Sequence, residues 1–186
     1  MTNSEILISV DVETSGPIPG EFSMLSIGAC TIDAPDRQFE CLLKPITDGV
    51  DPEALKVSGL SLDSLAQTGL APQEAMSRFE NWIGEVAGCD ARPIMVGFNA
   101  PFDWSFVNYY FHRFLGRNPF GFTALDIKAY YMGVAGTSWH DTRSSVMSKR
   151  LGATLHGDHD ALHDALAQAE IFRLARAMGG LNSSRA

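Results

Sequence analysis

The chain has 186 residues, 45% of them apolar and 19% charged, a length that suits one domain and a composition that buries a core and excludes wholesale disorder. Twenty-two acids against fourteen lysines and arginines leave a net charge of −8, which argues against a sequence-blind binder of long duplexes. The halves differ: residues 1–93 hold fifteen acids and five bases, residues 94–186 seven acids and nine bases, so an anionic substrate is expected to lean on the second half.

In chain order, Glu5 to Glu13 (EILISVDVE) reads as a buried strand followed by the turn-rich SGPIPG. No basic stretch precedes its apolar run, and nowhere do about 18 apolar residues run together, so neither secretion nor membrane spanning is expected and a cytoplasmic protein is. Met24 to Asp33 and Gln38 to Ile46 are two more strands across a short turn, giving an antiparallel meander. Helical spacing follows over Asp51 to Gly59 and over Pro72 to Val86, where Ala75, Phe79, Trp82 and Ile83 form the apolar stripe. Ile94 to Asn99 is a buried strand leading directly into a helix that opens at Pro101 and closes at Gly116, a signature of α/β architecture. Its aromatic stretch VNYYFHRF suits either core or the interface of a homodimer. Residues 123–128 read as a short strand, 133–158 as loop with one short helix, and Asp160 to Met178 as a final helix. A single domain over residues 1–178 and a polar tail over 179–186 follow. Cys30, Cys41 and Cys89 lack CxxC spacing, which suggests neither a disulfide framework nor a zinc site.

Asp11 and Glu13 sit two apart at a strand end, so the strand period sends both carboxylates to one face. Adjacent acids repel unless a cation neutralises them, and hard oxygen ligands suit Mg²⁺ or Mn²⁺. Asp103 falls in the first turn of a helix, where an acid is also favourable on electrostatic grounds alone. His159 and Asp164 are five apart around the opening of the last helix. Taken singly, each has an ordinary reading as solvated surface or helix cap; the order in which they occur is what informs.

That order, DVETSG (Asp11 to Gly16), NAPFDWSF (Asn99 to Phe106) and HDALHDA (His159 to Ala165), resembles the DEDDh branch of the DnaQ-like 3′–5′ exonucleases, the family of proofreading subunits, oligoribonuclease and RNase T. The likeness spans residues 5 to about 175. It implies an RNase H-like fold, a mixed central sheet flanked by helices, in which Asp11, Glu13, Asp103 and Asp164 ligate two divalent ions, Mg²⁺ or Mn²⁺, with Glu13 also counted as catalytic and His159 as general base. It further implies that Thr14, Phe22, Met24 and Leu25 meet the terminal nucleotide, with Asn99 and Phe102 lining the cleft. His140, His156 and His163 compete as base but lack the family spacing to an aspartate. Lys128, Arg143, Lys149 and Arg150 are candidates for the phosphate backbone. The expected partner is the 3′ end of single-stranded DNA or RNA. Trimming of RNA ends or short oligoribonucleotides is the alternative within the family, and a catalytically idle nucleic-acid-binding module the alternative outside it.

Overall fold

The computed structural model describes residues 4–183. Five strands, β1 (Ser4–Thr14), β2 (Met24–Thr31), β3 (Gln38–Leu42), β4 (Ala91–Gly97) and β5 (Ala124–Asp126), form one sheet in the order β3-β2-β1-β4-β5. The first three are the expected antiparallel meander, while β4 lies parallel to β1 and β5 parallel to β4. The sheet is mixed, as the RNase H-like reading requires.

Helices cover both faces, and the strand period decides which residue meets which helix. Even-numbered Ile8, Val10 and Val12 of β1 join Ile27 and Ala29 of β2 in a core with α3 (Pro72–Ala87) and α4 (Pro101–Leu115). Phe79 is its hub, with ring centroids 4.9 Å from Phe39, 5.7 Å from Phe111 and 6.1 Å from Phe120. Val107, Tyr110 and Phe111 are fully buried in the same core, so this part of VNYYFHRF packs inside the molecule. On the opposite face Cys30, Ile32 and Val96 pack under α5 (Ile127–Ala135), α6 (Ser144–Leu151) and α7 (Ala161–Ser183), chiefly through Ala169, Ile171, Phe172 and Ala175.

Several expectations differ, among them the start of β4, at Ala91 rather than Ile94. The third strand ends at Leu42 instead of Ile46: the Leu43 amide still donates to Leu25 of β2, but the Lys44 amide turns away to the Leu70 carbonyl. Leu62–Thr68 forms an additional helix, α2, after α1 (Pro52–Ser58), with Ser61 capping it through its side chain. Much of the expected 133–158 loop is helical: α5 and α6 each end on a glycine in the left-handed region, Gly136 at φ 59° and Gly152 at φ 72°, and a 3₁₀ turn spans Trp139–Thr142 between them. Helix α7 continues past Met178 to Ser183 where a polar tail was expected; residues 184–186 of that tail lie outside the described residues. Among the described residues no helix is long and apolar enough to cross a membrane.

Candidate active site

Asp11 and Glu13 lie on the α7 face of the central strand, opposite Gly28 and Ser26 of β2. A bulge follows at Glu13/Thr14 and ends the regular pairing. Gly28 is needed there, since a methyl group in its place would overlap the Ala161 carbonyl carbon and the Leu162 amide nitrogen. The backbone of α7's first turn thus rests directly on the strand beside Asp11, and Asp164, three residues into the helix, is carried to the acids.

Asp103 reaches the same place from α4. It is 4% exposed, and its Oδ1 accepts the Val12 backbone N–H at 3.1 Å. Asp164 accepts the Asp158 amide at 2.9 Å, and a side chain at Gly157 would push the Asp164 carboxylate from this place. Asp160 caps α7 by accepting the Leu162 and His163 amides, each at 3.1 Å. His159, immediately before this cap, is exposed and holds φ at 65°, a conformation a non-glycine residue adopts only when its surroundings impose it. One ligand atom each from Glu13, His159 and Asp164 lies within 4.8 Å of the others.

The electrostatics are those of four acids without a counter-charge. Burial drives Asp11 far above the usual carboxylate range, with Asp103, Asp164 and Glu13 adding repulsion and Gln168 opposing it through a hydrogen bond. Burial lifts Asp103 to about 8 against the stabilising Val12 N–H. Glu13 rises to about 7, from burial first and then from Asp164 and Asp160. Asp164 is raised by burial, partly offset by the Asp158 amide and His159. Among the described residues no lysine or arginine forms an ion pair with any of the four. Clustered hard oxygen donors that cannot all ionise together fit divalent cations of the Mg²⁺ or Mn²⁺ kind.

A cleft of about 620 Å³ opens over Asp11, His159 and Asp164, with Phe98, Ser148, Lys149 and Gln168 on its walls. Gln168 is a site residue that the motif reading missed. Its amide donates to Asp11 while its carbonyl accepts the Phe98 N–H at 2.9 Å, tying β1, α7 and the end of β4 together. Its place four residues after Asp164, on the same helix face, was the available signal. Asp126 was missed as well: it accepts the Ala100 and Ala129 amides, both at 2.7 Å, and so fixes the turn that delivers Asn99 and Asp103.

The proposed nucleotide contacts divide. Asn99, at φ 62°, and Phe102 are exposed at this turn. Phe22 is half-buried with its ring against Gly16, and the buried Thr14 hydroxyl donates to the Gly16 carbonyl at 2.9 Å. Met24 and Leu25 are fully buried, Met24 in the aromatic core, so neither presents the surface a wedge against a base requires. Among the competing histidines, His163 is engaged with Asp158 at 3.1 Å, His140 sits near Asp141, and His156 lines the cleft. Arg150 is occupied by Thr137 and Asp141 rather than open to a phosphate.

A central strand carrying DxE, a helix-borne Asp103, and His159 just before the last helix with Asp164 in its first turn define a DEDDh-type nuclease site. Residues 8–172 match the Exonuclease (RNase T) family model, and the chain belongs to that family; it is a hydrolase, a 3′–5′ exonuclease. It is 58% identical over 173 residues to the 3′–5′ DNA exonuclease Cap18 of Escherichia coli, covering 93% of this chain and 92% of that one. Ribonuclease T of Histophilus somni is 27% identical over 89% of this chain and 80% of its own length. The fold matches the nuclease domain of 3′hExo, a DEDDh family member bound to rAMP, at a TM-score of 0.71 and 13% identity over 98% of this chain and 94% of that one. Escherichia coli Exonuclease I in complex with a dT13 oligonucleotide matches at 0.75 and 17% over 98% of this chain, which spans 43% of that longer protein.

Proposed function

We propose that the protein removes nucleotides from the 3′ end of single-stranded DNA, releasing nucleoside 5′-monophosphates with two divalent ions and His159 as general base. The observation that carries this reading is the convergence of Asp11, Glu13, Asp103 and Asp164, with no lysine or arginine paired to them among the described residues, beside a histidine held at the cleft lip. The 58% identity to a DNA exonuclease favours DNA as substrate, whereas the likeness to Ribonuclease T at 27% supports RNA ends as the second reading.

Asp11, Glu13, Asp103 and Asp164 would hold Mg²⁺ or Mn²⁺, which when bound neutralise the phosphate and make water a stronger nucleophile. Asp103 is oriented by the Val12 N–H and Asp11 by Gln168, so neither carboxylate has to search for its geometry. His159 takes the proton of the attacking water as its oxygen bonds to phosphorus, a role worth ~10²–10⁴-fold. The bond to the 3′-oxygen of the preceding nucleotide breaks, and that oxygen regains a proton to leave a strand shorter by one.

The deciding assay is purified protein with 5′-labelled single-stranded DNA and RNA of one sequence, in Mg²⁺, Mn²⁺ or chelator. Stepwise shortening of DNA from its 3′ end, abolished by chelator, is expected; faster shortening of the RNA would transfer the reading to RNA ends, and turnover in chelator would overturn the metal mechanism.

A further inference from the structure

We propose that Trp139, Lys128 and Phe98 form a stacking track for the nucleotides lying 5′ of the scissile phosphate of a single-stranded substrate. This rests on the exonuclease reading of the adjoining cleft. Phe98 lines that cleft beside Asp11, and its amide is held by the same Gln168 that binds Asp11. The Lys128 ammonium stands 6.0 Å from the Phe98 ring centre and 4.2 Å from that of Trp139, so one cation bridges the two rings and leads away from the metal-ligand acids.

Trp139 is 52% exposed, so much of its ring system is open to a ligand. It is not there for want of order. The 3₁₀ turn that carries it is pinned from both sides: the Thr137 and Ser138 hydroxyls donate to the Asp141 carboxylate at 3.1 and 3.0 Å, the Asp141 amide donates to the Ser138 carbonyl at 3.0 Å, and the Thr142 hydroxyl donates to the Trp139 carbonyl at 2.7 Å. A ring presented by a fixed turn loses little entropy on stacking. Among the described residues Lys128 is in no ion pair, while the neighbouring Arg150 is paired with Asp141 of the turn. Arg143, exposed just past the turn, is likewise in none of these pairs.

Aromatic faces alternating with uncommitted cations are the surface a single strand needs, since every base has a π-face and every step a phosphate. The track also answers a question the acidic centre leaves open. A protein of net charge −8 holds a polyanion by local contacts along the strand, not by its overall field.

The experiment measures the Kd of fluorescein-labelled single-stranded DNAs of 3 and 12 nucleotides in Mg²⁺, in an Asp103→Asn background that keeps turnover off. Trp139→Leu, which keeps an apolar side chain but removes the π-face, is expected to weaken the 12-mer about tenfold and the 3-mer less than twofold, and Trp139→Phe to recover most of the loss. Lys128→Gln is expected to weaken the 12-mer and to flatten its salt dependence. Equal losses on both lengths, or a 12-mer Kd within twofold of the parent for Trp139→Leu with an unchanged melting temperature, would overturn the track. Should the wild-type protein fail to shorten the 12-mer while binding still depends on Trp139, the exonuclease reading falls and the track stands.

Discussion

The two faces of the sheet are built from different materials. On the α3/α4 face the filling is aromatic, with Phe79, Phe106, Tyr110, Phe111 and Phe120 all buried and Phe79, Phe111 and Phe120 in mutual ring contact. On the α7 face the helix contributes Ala161, Ala165, Ala169 and Ala175, and β2 answers with Gly28. Bulky rings fill volume and bury apolar area, about 25 cal/mol for each Å² removed from water. Small residues do the opposite and let backbones approach. The first face supplies stability, and the second sacrifices some of it to bring Asp164 and His159 within reach of Asp11 and Glu13.

Substitutions on the two faces should therefore separate activity from stability. The largest effect falls on the α7 face: Asp11→Asn is expected to abolish exonuclease turnover while raising the melting temperature of the metal-free protein, because it removes one of four mutually repelling acids. A lower melting temperature would show that Asp11 is a packing residue. On the other face Phe79→Ala should cost about 3–5 kcal/mol in denaturant unfolding, with specific activity of the remaining folded protein unchanged; a loss confined to activity would erase the distinction. His159→Ala is expected to lower kcat by roughly 10²-fold or more with metal affinity retained, as read by single-turnover kinetics against Mg²⁺ titration. Gly28→Ala tests the contact itself. Its new methyl must displace α7, at about 1–3 kcal/mol, and unlike Phe79→Ala it should lower kcat as well.

The last test is the pH slope of the metal-free protein. Glu13 and Asp103 have folded pKa values raised to about 7 and about 8, so between about pH 4 and pH 8 the folded state binds more protons than the unfolded chain. Stability from these groups is greatest at the acidic end of that window and falls as the pH rises through it. Thermal melts in chelator should decline across this range, and saturating Mg²⁺, which binds the deprotonated acids, should remove the decline.

The acids and His159 were legible because they sit at element ends, where a two-residue strand period and a helix start are visible in the sequence alone. Gln168 was not, since an amide on a helix of alanines has no charge to draw attention and its importance arises only from the approach of Asp11 on β1 and Phe98 after β4. Met24 and Leu25 lie on β2, a strand buried along its whole length, and in the sequence an apolar core residue and an apolar wedge look the same. Residues 127–151 resisted because α5 and α6 are two-turn helices whose limits depend on left-handed glycines and on the Asp126 cap rather than on apolar periodicity. Helix α2 is equally short, with Leu65 alone buried.

The cysteines give the molecule a selective chemical handle. Burial pushes the Cys30 and Cys41 thiols up to about 12, leaving almost no thiolate to react, while Cys89 is exposed. Cys89 precedes β4 at the edge of the sheet from which that strand departs, and the seven residues Ala91–Gly97 then run some 20 Å toward the acids at the far edge. A maleimide dye or a surface linker attached to the wild-type protein would accordingly settle at one position, behind the cleft, so that the enzyme can be tethered with its catalytic mouth open to a passing strand.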